Sequence, residues 1–199
     1  MSEIKVFGKW SVEGIKVEDP GLVKHINLEP KIVPKTGAKN AGTRFRKVKT
    51  FIVERLINKV MVPGHKGKKH FKSSYHITGK AANAYDIVKK VFEIIEEKTN
   101  TNPIEVLVKA IENAAMREEL VTIEYGGARY PRPVECSPQR RIDVVLRLMV
   151  QSSYQKSFNT KKSIESTLSE EIINAYRASN QSFAISKKLE TERQADSAR

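Results

Sequence analysis

Along the chain the spacing of apolar residues changes period twice, and those changes divide it. Ile52, Leu56 and Val60, flanked by Val53 and Ile57, recur at helical spacing until Pro63-Gly64 stops the run. A second helix is expected from Thr78, with Ala84, Val88, Val91 and Ile95 on one face. Asn102-Pro103, with Glu105 at the capping-box offset, opens a third that carries Ile104, Leu107, Ile111 and Ala114. The period then becomes two. Val121, Ile123 and Tyr125 alternate with polar residues, as do Tyr130, Arg132, Val134 and Cys136 with Pro131, Pro133 and Glu135, across Gly126-Gly127. That pattern predicts a β-hairpin at about 121–136, held at its base by Val121, Ile123, Val134 and Cys136. Its two prolines confine the second strand to an edge. With about five residues per strand it would reach roughly 17 Å from the core.

Helical spacing returns after Ser137-Pro138. Ile142, Val145, Leu146 and Met149 face inward, with Arg140, Arg147, Gln151 and Tyr154 opposite. A fifth helix uses Ile164, Leu168, Ile172 and Ala175, and a sixth, weaker one runs from about Ser186. The first forty residues show only short apolar pieces between glycines and prolines. They predict an irregular or weakly stranded arm with a brief helix at Asp19-Pro20, protease-sensitive over 1–42 in the free chain. It runs into the basic linker 30–47, which has few apolar anchors and should be mobile. The expected fold is mainly α: a bundle of about six helices, one β-hairpin protruding between the third and fourth, and an extended basic N-terminal arm. The division expected is 1–43 for the arm and basic linker and 44–199 for the helical domain.

Charge changes the picture next. The 199 residues carry 36 Lys+Arg against 23 Asp+Glu, a formal +13, which predicts attraction to a polyanion. The excess lies in two blocks: residues 35–72 hold twelve basic groups and one acid, and 125–162 hold eight against two, while the remainder is slightly negative. Such blocks mark a binding surface rather than a uniformly solvated face. Candidate phosphate-neutralising residues are Lys35, Lys39, Arg44, Arg46, Lys47, Lys49, Lys66, Lys68, Lys69, Lys72, Arg140, Arg141 and Arg147. Phe45 and Phe71 among them are either stacking platforms or anchors for their loops. Dispersed loop lysines suit a folded RNA read by shape and phosphate contacts.

Catalytic and metal chemistry find little support. His65, His70 and His76 match no zinc spacing and sit among lysines that would oppose a cation. The glycines and lysines of 64–69 lack the phosphate-loop spacing. Cys136, the single cysteine, reads as a small packing residue, and its solitude excludes an internal disulfide. No cofactor is expected, no signal-peptide run begins the chain, and no apolar run is long enough to span a membrane.

The segment "GGARYPRPVE" (126–135) resembles the hairpin signature of the universal small-subunit ribosomal protein seven family. So do "VERLINKVMVPGHKGKK" (53–69), "AIEN" (110–113) and "SPQRRIDVVLRLMV" (137–150), in the same order along the chain. "KVFGKW" and "INLEPKIVP" resemble the archaeal and eukaryotic branch. The resemblance implies a non-enzymatic, cytoplasmic ribosomal protein that binds the 3′ major domain of small-subunit ribosomal RNA and helps nucleate the head. It would lie near exit-site tRNA and the mRNA exit path, beside small-subunit proteins nine, eleven, thirteen and nineteen. Gly126, Gly127, Arg129, Tyr130 and Arg132 would form the tip nearest tRNA and mRNA. The alternatives are a DNA-binding regulator, which would read a groove with one helix, another non-ribosomal RNA-binding protein, or an RNA-modifying enzyme.

Overall fold

The computed structural model describes residues 4–37, 39–40, 42–66, 69–70, 74 and 77–199. Among these residues the helices are α1 (Ile52–Val60), α2 (Ala81–Thr99), α3 (Pro103–Ala114), α4 (Pro138–Ser157), α5 (Ile164–Tyr176) and α6 (Phe183–Asp196). Two antiparallel pairs join them: β1 (His65–Lys66) with β2 (Lys69–His70), and β3 (Glu118–Tyr125) with β4 (Ala128–Glu135). A 3₁₀ turn at Arg46–Lys49 precedes α1. The fold is mainly α, with the long hairpin between α3 and α4, as the periodicity predicts.

The predicted apolar faces are the buried ones. Leu56, Val88, Val91, Ile95, Leu107, Ile111, Ile142, Leu146, Met149 and Ile172 all belong to one core. Helix α5 packs against α2, α3 and α4, while α1 packs against α2 and α4. Asn102 caps α3, its side-chain oxygen accepting from the Ile104 amide at 3.0 Å, and Pro103 occupies the first turn.

Three boundaries differ from the sequence expectation. Helix α2 begins at Ala81, three residues after Thr78, because Gly79 takes a left-handed φ of 72° that breaks the helix there. Asp19-Pro20 gives a run of turns instead of a helix, with the Asp19 carboxylate accepting from the Gly21 amide at 2.8 Å. Helix α6 starts at Phe183, three residues before Ser186, since Ser182 supplies its N-cap. Gln151 is also buried, so the outer face of α4 is narrower than its sequence suggests.

The N-terminal arm shows the largest difference. It is irregular, as expected, but Val6, Phe7, Trp10, Val12, Leu22 and Ile26 are buried in the common core. Phe7 and Trp10 meet Phe92 of α2 edge-on, at centroid distances of 6.0 and 5.7 Å. The Trp10 indole donates to Glu96 at 3.1 Å, and Asn102 donates to the Ser11 carbonyl at 2.7 Å. Further along, the Glu112 carboxylate accepts from the amides of Glu18 and Asp19. The anchors are too few and too irregularly spaced to signal an element, yet every one is spent on the core. Residues 4–27 of the free chain are therefore expected to resist limited proteolysis about as well as the helices. Trp10→Ala should expose the segment to early cleavage, read by mass spectrometry of the fragments.

Candidate nucleic-acid interface

Two groups of predicted site residues occupy different parts of the fold. The first forms a basic face where the segment before α1 meets α1 and α4. Lys35, Lys39, Arg44, Arg46 and Lys49 are exposed, and Lys47 and Arg147 are half-buried. The loop carrying them is tied down by backbone: Asn27 donates to the Lys49 carbonyl at 2.7 Å, and the Ile52 amide donates to the Asn27 carbonyl. Lys35, Arg44 and Lys47 line a cleft of about 740 Å³ whose far wall includes Gln139 of α4. Gln139 also lines an adjoining cleft of about 370 Å³ with Lys59, Arg140 and Arg147. Residues a hundred positions apart in sequence thus share one surface.

Beneath that surface lies a charged cluster that the sequence reading missed. Asp143 of α4 accepts from Lys47 at 2.6 Å and from Arg55 at 3.2 Å, and Arg55 also donates to the His25 carbonyl. Arg55 is only 2% exposed. Burial opposes ionisation of Asp143, but the bond from Lys47 and the charges of Arg55, Lys47 and Lys59 outweigh it and hold its pKa below the ordinary value. Burial pushes Lys59 down despite Asp143, and the neighbouring Lys47, Arg147 and Arg55 add to the effect. Three cations share one carboxylate, so the cluster keeps a positive surplus that an anion at the clefts would relieve. The signals in the sequence were Arg55 within the apolar run of α1 and Asp143 as the one acid among Arg140, Arg141 and Arg147 of α4, since a buried charge must find a partner.

Arg141 behaves differently from its neighbours. It is buried, donating to Asp19 at 2.7 Å and to the Met116 carbonyl at 3.1 Å. Its guanidinium joins the arm to α4 and is spent within the protein, so it drops out of the surface. Arg140 is exposed but bonded to Glu119 at 2.6 Å. Lys66 and Lys69 stand opposite each other in the β1–β2 ladder, as do His65 and His70. Lys68 and Lys72, with Phe71 and His76, lie outside the described residues. No group of three potential metal ligands gathers among the described residues.

The second group is the hairpin tip. Gly126 and Gly127 take φ of 57° and 81°, the pair of positive values that a two-residue type I′ turn requires. Tyr125 opposes Ala128 across it, and Ile123 opposes Tyr130. Alternating outward from the turn, Pro131 and Pro133 fall at positions whose N–H would point away from β3, so no ladder bond is lost. The same prolines leave the outer edge of β4 poor in donors. The hairpin is also longer than expected, eight residues per strand and about 27 Å.

Its base is held otherwise than the alternation suggested. Val121 and Ile123 are 38% and 46% exposed, too far up the arm to reach the core. Of the four base residues expected, Cys136 does hold the hairpin, buried in an apolar cluster with Met116 and Val144, and burial raises its thiol pKa, away from reactivity. Polar bonds complete it. Glu118 pairs with Arg199, Glu119 with Arg140, and the Arg117 amide donates to Glu192 of α6 at 2.9 Å. Helix α6 is held in turn at its first turn, where the fully buried Glu171 accepts from Ser182 at 2.8 Å and the Ala184 amide at 3.1 Å. Arg129, Tyr130 and Arg132 project from this mount, exposed.

Comparison with known proteins accords with this geometry. The profile of the ribosomal protein S7p/S5e family matches residues 22–199. Over 197 residues the chain is 54% identical to small ribosomal subunit protein uS7 of Nanoarchaeum equitans (strain Kin4-M), covering 99% of this chain and all of that one. It is 47% identical to small ribosomal subunit protein uS7 of Archaeoglobus fulgidus, covering 99% of this chain and 96% of the relative.

Proposed function

We propose that this chain, which belongs to the ribosomal protein S7p/S5e family and is a structural constituent of the small ribosomal subunit, binds the 3′ major domain of its ribosomal RNA. By that binding it helps nucleate assembly of the head. It works in the cytoplasm, on the ribosome, as a scaffold and not as an enzyme. The observation that carries the reading is the convergence of Lys35, Arg44, Lys47, Lys59, Arg140 and Arg147 around two adjoining clefts. Phosphates of a folded RNA can follow such a surface from one cleft to the next. A duplex-DNA regulator would need one helix with a free reading face, whereas these cations come from a loop and two helices.

The hairpin is the second functional part. Its outer half buries nothing and presents two tyrosines and two arginines, chemistry that suits stacking and phosphate contacts. We assign it to the neighbourhood of exit-site tRNA and departing mRNA, with small-subunit proteins nine, eleven, thirteen and nineteen as the protein neighbours of the head.

The test is binding to the isolated 3′ major domain in competition with duplex DNA. The RNA complex should survive an equal mass of duplex, and equal competition would overturn the proposal. A companion chain has residues 122–131 replaced by Asn-Gly, which leaves Val121 opposite Arg132 to close the shortened turn. It should keep its helix content and most of its RNA affinity. Subunits assembled with it should release exit-site tRNA faster. Failed assembly with normal tRNA release would make the hairpin an RNA anchor instead.

A further inference from the structure

The larger cleft holds features that phosphate binding does not use. Glu54 lines it, buried to 4% exposure. One carboxyl oxygen, Oε1, accepts from the Thr36 amide at 2.9 Å and the Thr36 hydroxyl at 2.5 Å. The other, Oε2, is buried and has no hydrogen-bond partner among the described residues. A buried acceptor without a protein partner is costly, so a donor from outside the chain, a water or a ligand, is needed there.

Phe45 stands on the same cleft. It is 78% exposed, so it is no anchor for its loop. Its backbone sits at a φ of 62°, a conformation that an aromatic residue rarely adopts. Strain of this kind persists where surrounding structure enforces it, and it clusters at ligand sites. Ile57, Met61 and Tyr85 add apolar wall, while Lys35 and Arg44 carry charge at the same cleft. A volume of about 740 Å³ lies within the range of pockets that accept a nucleotide-sized ligand.

We propose that this cleft receives a single unstacked RNA base whose Watson–Crick edge offers an N–H. Glu54 Oε2 accepts that N–H, Phe45 supplies a stacking surface, and Lys35 and Arg44 hold the flanking phosphates. Single-stranded and bulged nucleotides are recognised by this combination of aromatic face, edge hydrogen bond and backbone charge. The inference rests on the RNA-binding reading above and adds base selection at one point of it. A second protein occupying the cleft is the competing outcome.

Two labelled hexanucleotides separate the possibilities by fluorescence anisotropy on the full chain: hexa-adenosine, and the same oligomer built from purine riboside, which lacks only the amino group. Adenosine should bind about tenfold tighter, the worth of one hydrogen bond to a charged acceptor. Glu54→Gln keeps an oxygen for Thr36 and turns an amide NH₂ toward the cleft, so the preference should vanish. Phe45→Gly relaxes the left-handed backbone, should fold at least as well as the parent, and should weaken both oligomers severalfold. Equal binding of the two oligomers by the parent chain overturns the inference, as does a preference that survives Glu54→Gln. If Glu54→Gln loses its helix content, Phe45→Gly decides, and unchanged binding there overturns the inference. Binding to the 3′ major domain is measured alongside. If it stays intact while adenosine preference is absent, only this inference fails; if it too is absent, the functional reading falls with it.

Discussion

Replacing Asp143 with alanine is expected to destabilise the chain by about 3 kcal/mol, a melting temperature lower by about 10 °C for a protein of this size. Among the described residues, Arg55 is left buried with only the His25 carbonyl at one end of its guanidinium. Lys47 and Lys59 lose their nearest anion at the same time. Partial exposure of the carboxylate keeps the figure at the lower end for a broken buried pair. The pH dependence gives an independent check. The folded pKa of Asp143 lies below its ordinary 3.8, so its contribution is complete above that value and disappears as pH falls through the lower folded value. The alanine variant should therefore lose less stability than the parent over that acid interval, as followed by thermal melts at several pH values. Removing both charges, as in Arg55→Met with Asp143→Leu, should recover much of the loss, because the cost arises from an unpaired buried charge. A double variant as unstable as Asp143→Ala would show that the cluster's value lies in its bonds and not in charge balance.

Changing Lys35, Arg44, Lys49 and Arg147 together to alanine should reduce affinity for the 3′ major domain about a thousandfold, taking about 1 kcal/mol for each contact. None of the four makes an ion pair with another described residue, so folding should be nearly untouched. The slope of log affinity against log salt should fall by about 3, since each phosphate contact releases most of one counterion. Filter binding between low and physiological salt reads both quantities. A quadruple variant with the parent slope would mean that the RNA runs elsewhere, along the hairpin or over the β1–β2 pair. Arg141 makes a useful contrast: its replacement should lower stability by severing α4 from Asp19 and leave the salt slope alone.

The helices and the hairpin were legible because each repeats its own period. Leu56, Val88, Leu107, Leu146 and Leu168 each announce a buried face within their own ten residues, and Gly126-Gly127 announces the turn. The resemblance rested on the same local signals. The two basic blocks were equally visible as composition, but their coalescence around Gln139 was not. Nothing within either block encodes the docking of α1 against α4.

What the sequence determined by itself was therefore whatever short-range chemistry controls: period, caps, turn conformation and net charge. The tertiary structure alone decided the uses of isolated residues. Trp10 is an anchor because Phe92 and Glu96 happen to face it, and Arg141 is a strut because Asp19 lies within reach. Val121 and Ile123 look like base residues in the strand pattern and stand exposed, because the hairpin leaves the core lower than alternation can reveal. Glu54 and Asp143 are both lone acids in basic surroundings, yet one meets three cations and the other keeps an oxygen free beside a cleft. Alternation and spacing are properties of neighbours along the chain. A partner eighty residues away is chosen only when helices close over one another and burial makes an unpaired charge too costly to keep.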